Sequence, residues 1–307
     1  MSILSKAYFH DEAAAFEYLE NILWPDGPVC PHCGGYERIS KIKANPEKRV
    51  RQGLHKCGQC KKQFTVRVGT VFEASKVELH KWLQAVYLMC ASKKGISAHQ
   101  LHRVLEVTYK TAWFMAHRIR EAMRSGDLGP FGPMGGQVEV DETFIGHDKT
   151  RPVERGYQHK HKVLALVDRR TGKAKTMVVD RLASRELLPI LKENISEEAR
   201  VYTDEAGYYR RLRDHFLQHQ SVKHNDGEYG RGEVHTNTVE GYFSIFKRGM
   251  KGVYQHCAKK HLHRYVAEFE FRYNNRVANG VGDATRTRVA LAAAVGKRLT
   301  YRRANVE

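Results

Sequence analysis

No stretch of this 307-residue chain is apolar enough to span a bilayer, because Lys, Arg or Glu interrupts every candidate segment. A membrane partner is not expected. The opening residues, MSILSKAYFHDEAAAFEYLE, carry charge throughout and lack the apolar run of a secretion signal, so the chain reads as cytoplasmic. Cysteine is scarce, at six residues, and in a reducing compartment those six are not expected to pair as disulfides. Negative charge is also short: 34 Asp plus Glu stand against 52 Lys plus Arg, a formal net charge of +18 spread along the chain. Such a surface attracts polyphosphate, because each cation that displaces a condensed counterion adds favourable, salt-sensitive free energy. Nucleic acid is the leading partner.

Four of the cysteines form two Cys-x-x-Cys knuckles, Cys30-Pro-His-Cys33 and Cys57-Gly-Gln-Cys60. Each knuckle aims two thiolates at one point, and together they complete the tetrahedron of one structural zinc. A thioredoxin-like redox site needs a single knuckle at a helix start, which is not this arrangement. His32 and His55 lie beside the knuckles as alternative ligands, although four thiolates are the simpler set. Cys90 and Cys257 stand alone in apolar helical contexts and read as small buried residues.

Helical periodicity marks residues 9–23, and alternation marks three short ribbon strands at 38–43, 49–56 and 63–68. Ser75 then caps a helix whose apolar face includes Trp82, Leu83, Val86 and Met89. Two further helices, from Ser97 to Leu105 and from Tyr109 to about Arg124, have the outline of a helix-turn-helix. In that arrangement Ile96, Leu101 and Val104 pack against Ala112, Met115 and Ile119. Thr108, Lys110 and Thr111 then form the leading end of a DNA-reading helix, with Arg118 further along it. A plain helical linker is the alternative.

Five glycines and two prolines between Ser125 and Gly136 cannot sustain a helix, so a new domain begins after them. The expected organisation is an N-terminal helix and zinc ribbon (1–72), a helical DNA-binding region (73–128), a catalytic domain (135–280) and a basic C-terminal tail (281–307). The catalytic domain reads as three strands (137–146, 161–168, 174–179), a helix from Ser184, a strand at 200–204, a further helix, a strand at 221–224, and a helix from about Thr236 through Lys247. This order is the ribonuclease H-like layout, an α/β fold with a mixed sheet flanked by helices. It places Asp141 within the first strand, Asp204 at the end of its neighbour, and Glu240 on the helix that packs across them. Three converging carboxylates repel one another unless divalent cations lie among them, and hard oxygen ligands suit two Mg²⁺ or Mn²⁺ ions. Such a pair activates a hydroxyl on one side of a phosphodiester and stabilises the leaving oxygen on the other. Asp168, at a hairpin corner, and Asp180, at the end of a peripheral strand, read as turn residues.

The ribbon, the strand Val138-Glu-Val-Asp-Glu-Thr143, the turn Val201-Tyr-Thr-Asp204 and the segment His235-Thr-Asn-Thr-Val-Glu-Gly-Tyr-Phe-Ser-Ile-Phe-Lys-Arg248 resemble the bacterial insertion-sequence transposases related to eukaryotic Merlin elements, with an ISXO-like catalytic domain. The likeness spans roughly residues 15–275. It implies a DDE-type transposase that binds terminal inverted repeats and target DNA as a homodimer or larger assembly, and that cuts and rejoins DNA. It also implies that Lys247, seven residues after the third acidic position Glu240, faces a metal-held phosphate. Some relatives use Asn as the third ligand, which makes Asn237 the fallback here. His235 either orients a phosphate or simply precedes the helix. A ribonuclease H-like structure-specific nuclease and a DNA-binding regulator derived from a transposase are the competing functions.

Overall fold

The computed structural model describes residues 2–124, 126, 128–153 and 155–300. Ser125 and Asp127 of the glycine-rich seam, and residues 301–307 of the expected tail, lie outside that set. The chain forms two compact units: residues up to 123 together with those from 281 onward, and residues 124–280.

The first unit begins with α1 (Glu12–Leu23), whose N-terminus is capped by Asp11 accepting the Ala14 N–H at 2.7 Å. The ribbon strands β1 (Ile39–Ile42), β2 (Leu54–Cys57) and β3 (Gln63–Phe64) pair antiparallel in that order. They are shorter than the alternation suggests. Asn45 and Val50 close a turn, and Arg49 within it has positive φ, so the second strand starts only at Leu54.

Helix α2 (Leu79–Ala91) starts three residues later than a Ser75 cap would give. Its first N–H groups are held instead by the Glu12 carboxylate, at 2.8 Å from Leu79 N and 3.1 Å from His80 N. The Ser75 hydroxyl accepts the Trp82 indole N–H. Next come α3 (Ala98–Leu105) and α4 (Tyr109–Ala122), capped by Ser97 and Thr108 and separated by Glu106 in the left-handed conformation. Leu101, Ala112, Met115 and Ile119 are buried as expected, but Val104 is 53% exposed and Leu105 takes its place. Leu105 lies a full helical turn from Leu101 and therefore shares its face.

In the second unit, β4 (Gln137–Ile145), β5 (His161–Asp168) and β6 (Lys173–Val179) form an antiparallel meander. After α5 (Ser184–Asn194), β7 (Arg200–Thr203) and β8 (Gln218–Ser221) add in parallel, giving the order β6-β5-β4-β7-β8. All of β5 is buried, because alternate residues feed two cores. Leu164 and Leu166 join Val138, Val140, Leu187 and Leu191 on one side of the sheet. Val163, Ala165 and Val167 join residues of α6 (Asn237–Gly249) and α7 (Lys259–Asn274) on the other. A mixed five-stranded sheet with this order and helices on both faces is the ribonuclease H-like fold. Two elements depart from expectation. The segment between β7 and β8 is a 3₁₀ stretch, Gly207–Asp214, and β8 ends where the expected strand begins.

The expected basic tail is corrected by α8 (Asp283–Ala292), which belongs to the first unit and packs on α2. Its apolar pattern is weak because Ala290 and Leu291 suffice to fill the contact. Arg286, 7% exposed, anchors it by donating to the Cys90 carbonyl at 2.8 Å.

Candidate active site

Asp141 lies on the central strand. The parallel register sets Glu139 against Tyr202, so continuing both chains by two residues brings Asp204, just past the end of β7, level with Asp141. The carboxylate oxygens of Asp141, Glu142 and Asp204 come within 4.8 Å of one another. Local bonds hold each in place: Asp141 Oδ1 accepts Glu142 N at 2.8 Å, Asp204 Oδ1 accepts Ala206 N at 3.0 Å, and Glu142 accepts the hydroxyls of Tyr208 and Tyr209.

Burial pushes the Asp141 carboxyl up to about 8; the charges of Glu142, Asp204 and Glu240 push the same way, while the Glu142 N–H opposes them. Asp204 and Glu142 are also raised, each chiefly by burial. Acids crowded in this way hold protons in the absence of a cation. A divalent ion relieves both the repulsion and the desolvation, so the donor set fits hard-metal binding.

Glu240 is not in the 4.8 Å group. It stands in the first turn of α6, where Oε1 accepts the Thr236 hydroxyl at 2.7 Å and lies 3.6 Å from His224 Nε2. Lys247 is exposed on the same helix, and Asn237, also exposed, is its first residue. His235 is held at 2.8 Å from Arg169 Nη2 and 3.2 Å from Glu139 Oε1, as part of a structural network.

Strand alternation alone does not reveal that network. Glu139 is fully buried on β4 and accepts the N–H groups of Thr238 and Val239 at 2.8 and 2.9 Å, capping α6 from across the sheet. Arg169 donates to Glu139 and to the carbonyls of Glu233 and His235, and its guanidinium lies over the Tyr202 ring. Glu142 was also missed. Strand alternation places it on the face of Val138 and Val140, and an acid among apolar neighbours was the available signal. Asp168 serves its turn, accepting Thr171 N and Gly132 N, and Asp180 pairs with Lys259 at 2.9 Å.

In the ribbon, Cys30, Cys33, Cys57 and Cys60 form a second candidate metal cluster. The Sγ separations are 3.6 Å for Cys30–Cys60 and 3.7 Å for Cys33–Cys57. Tetrahedral thiolates at the usual Zn–S distance stand about 3.8 Å apart, far beyond a disulfide bond. The Cys57 thiol is drawn down to about 7, first by the Cys60 backbone N–H. His55 stacks on Phe64 and bonds the Gly53 carbonyl, and His32 is exposed, so the candidate ligand set is the four thiolates.

At the α3–α4 turn, Thr108 and Lys110 are exposed and Thr111 is half-buried; Thr108 is spent on capping, accepting Thr111 N at 3.2 Å. Arg118 corrects the expected DNA-contact set. It is 5% exposed, donates to the Glu73 carbonyl, and lies over the rings of Trp82 and Phe114. Its position three turns into α4 turns it toward α2 and the interior of its unit.

Residues 133–274 match the family model described as ISXO2-like transposase domain, and residues 10–63 match the transposase zinc-ribbon domain. A Halobacterium salinarum relative, "Uncharacterized protein in transposable element ISH50", is 30% identical over 280 residues, covering 86% of this chain and 91% of its own. An "Uncharacterized transposase-like protein" of Haemophilus influenzae is 28% identical over 103 residues, 34% of this chain and 82% of that one. Among solved structures, the HTLV-2 integrase catalytic core in complex with magnesium aligns with TM-score 0.27 and 11% identity, over 46% of this chain and 86% of that one. The simian T-cell lymphotropic virus intasome in complex with PP2A regulatory subunit B56 gamma aligns with TM-score 0.29 and 14% identity, over 57% and 68%. The 30% identity that spans most of both this chain and the transposable-element protein, together with both domain matches, establishes that this chain belongs to the ISXO2-like transposase family.

Proposed function

We propose that this protein is the DDE-type transposase of an insertion sequence, acting in the bacterial cytoplasm as a homodimer or larger assembly on double-stranded DNA. The observation that carries the reading is the convergence of Asp141, Glu142 and Asp204 on two neighbouring strands, with Glu240 adding its charge from α6. Asp141 and Asp204 are the primary ligands for divalent ions, and Glu240 completes the set. Two Mg²⁺ or Mn²⁺ ions, when bound, would supply activation of the attacking hydroxyl and stabilisation of the leaving oxygen.

The chain's own residues do the rest. Tyr208 and Tyr209 fix the Glu142 carboxylate, and Glu139 sets the start of the helix that bears Glu240 and Lys247. Seven residues is nearly two turns, so the Lys247 ammonium projects from the Glu240 face about 10 Å along the helix and meets the phosphate backbone. Asn237 contacts DNA beside it. The zinc ribbon, with its one structural zinc, and the Thr108–Thr111 end of α4 bind the terminal inverted repeats, Lys110 contributing charge.

The test is strand transfer of a labelled inverted-repeat end into plasmid DNA with Mg²⁺. Joined product that disappears in Asp204→Ala supports the reading. Cleavage without joining supports a structure-specific nuclease instead, and binding without either reaction supports a DNA-binding regulator.

A further inference from the structure

The C-terminal end of β4, just beyond the acidic group, also carries a cleft that the proposed chemistry leaves unused. Phe144, Arg151, Tyr157, Lys162, Arg181 and Leu182 help to line its volume of about 610 Å³, which is within the usual range of ligand pockets. Because β6 runs in the same sense as β4, the residues that follow β6 return to this end. The Phe144 and Tyr157 rings stack at 4.7 Å with 18° between their planes, yet Tyr157 is 56% exposed. The Lys160 ammonium lies 4.9 Å from the Tyr157 ring centre.

The charge in the cleft is positive. Lys162 donates to the carbonyls of Gln158 and Lys160, which cancel no charge, and Arg151 donates to that of Gln158 while its Nε lies 4.0 Å from Asp148 Oδ2. Arg181 is exposed and makes no hydrogen bond or ion pair with the described residues. Asp180 is already paired with Lys259. An exposed tyrosine ring with an ammonium over it, beside an apolar wall and rimmed by further cations, matches a flat base that carries a phosphate and takes the ammonium's place on the ring.

Position narrows the occupant. Phe144 shares a face of β4 with Glu142, two residues away, or about 7 Å. That is about two base-pair rises of a stacked duplex, and fewer nucleotides of an extended unpaired strand.

We infer that this cleft holds an unpaired nucleotide of the DNA strand whose phosphodiester lies at Asp141 and Asp204, its base on Tyr157 and its phosphate on Arg181. The inference rests on the transposase reading of the acidic group. The cleft selects a strand that is frayed or unwound beside the reaction point, and it tracks that strand by stacking and charge, with no hydrogen-bond readout of the base.

The experiment compares the full-length protein with Tyr157→Ala, Tyr157→Phe and Arg181→Ala by fluorescence anisotropy, without divalent ions. The probes are a fully paired duplex, the same duplex with a six-nucleotide single-stranded flank, and that flank with its bases removed. Tyr157→Ala and Arg181→Ala should each weaken binding to the flanked duplex by about tenfold and leave the paired duplex within about twofold. Tyr157→Phe should retain affinity, and removing the bases should abolish the Tyr157→Ala effect while sparing that of Arg181→Ala. Equal losses on paired and flanked DNA, or no loss on either, would overturn the inference, as would tight binding of free deoxyadenosine monophosphate that displaces no DNA. Cleavage by the wild type in Mg²⁺, scored separately, keeps the two readings apart: a flank preference that depends on Tyr157 in a protein that cuts nothing upholds the cleft and sinks the transposase reading.

Discussion

Glu139 Oε2 accepts the backbone N–H of Val239 at 2.9 Å, joining the middle of the central strand to the first turn of α6 across a hundred residues of chain. The bond matters because Asp141 stands two residues along that strand and Glu240 is the next residue of that helix. One buried carboxylate therefore sets the spacing between two of the proposed metal ligands. Arg169 compensates its charge, and the positive end of the helix dipole adds to this.

Removing one partner of this buried pair strands the other. Glu139→Ala and Arg169→Ala should each lower stability by about 3–5 kcal/mol, read by urea unfolding. The double variant should cost clearly less than the sum of the two, because the groups share one network.

The acidic group gives a pH dependence of definite sign. Asp141 is held up to about 8 against an ordinary 3.8. Between those values the unfolded chain has released a proton that the folded chain still holds, so each rise in pH across that window favours the unfolded state. In chelator, the stability contributed by that proton is fully present below about pH 4 and is lost as pH rises through 8. Asp141→Asn should flatten that slope and, at pH 8 without metal, raise the melting temperature by about 5 °C. A variant that melts lower than the wild type at pH 8 in chelator contradicts the assignment.

Elemental analysis of the purified chain should give one zinc per protein. Cys33→Ser should bring that value well below one and speed amide exchange across residues 30–64, because the metal supplies much of the ribbon's folding free energy. Unchanged exchange after zinc loss would show that the ribbon folds without it.

Arg118 and Lys110 should separate cleanly. Arg118→Ala removes a buried cation from the Glu73 carbonyl and the Trp82 ring, so it should lower stability by about 2–3 kcal/mol. Lys110→Ala should leave melting unchanged while weakening DNA binding and reducing the salt slope by about one.

Much of this was legible in the residues. Strand β5 has the bounds that its apolar run implies, and the convergence of Asp141 with Asp204 follows once β7 is taken as the parallel neighbour of β4. What escaped depended on contacts distant in sequence. The partners of Glu142 come from a 3₁₀ segment whose two adjacent tyrosines both turn inward, a geometry that helical periodicity does not describe. Glu139 looks like any polar residue of an alternating strand until α6 arrives to use it. Arg118 looks like a surface cation because charge patterning does not reveal a carbonyl at residue 73. Helix α8 is anchored by an arginine that reaches a carbonyl 196 residues earlier, and its small apolar side chains leave little trace in the pattern.

The central claim is that Asp141 and Asp204 hold divalent ions together, and Mn²⁺ titration followed by electron paramagnetic resonance tests it most directly. With inverted-repeat DNA bound, the wild type should take up two Mn²⁺ per chain, and Asp141→Asn or Asp204→Asn should lose at least one of them while zinc content stays the same. Equal Mn²⁺ uptake by the wild type and both variants would contradict the account.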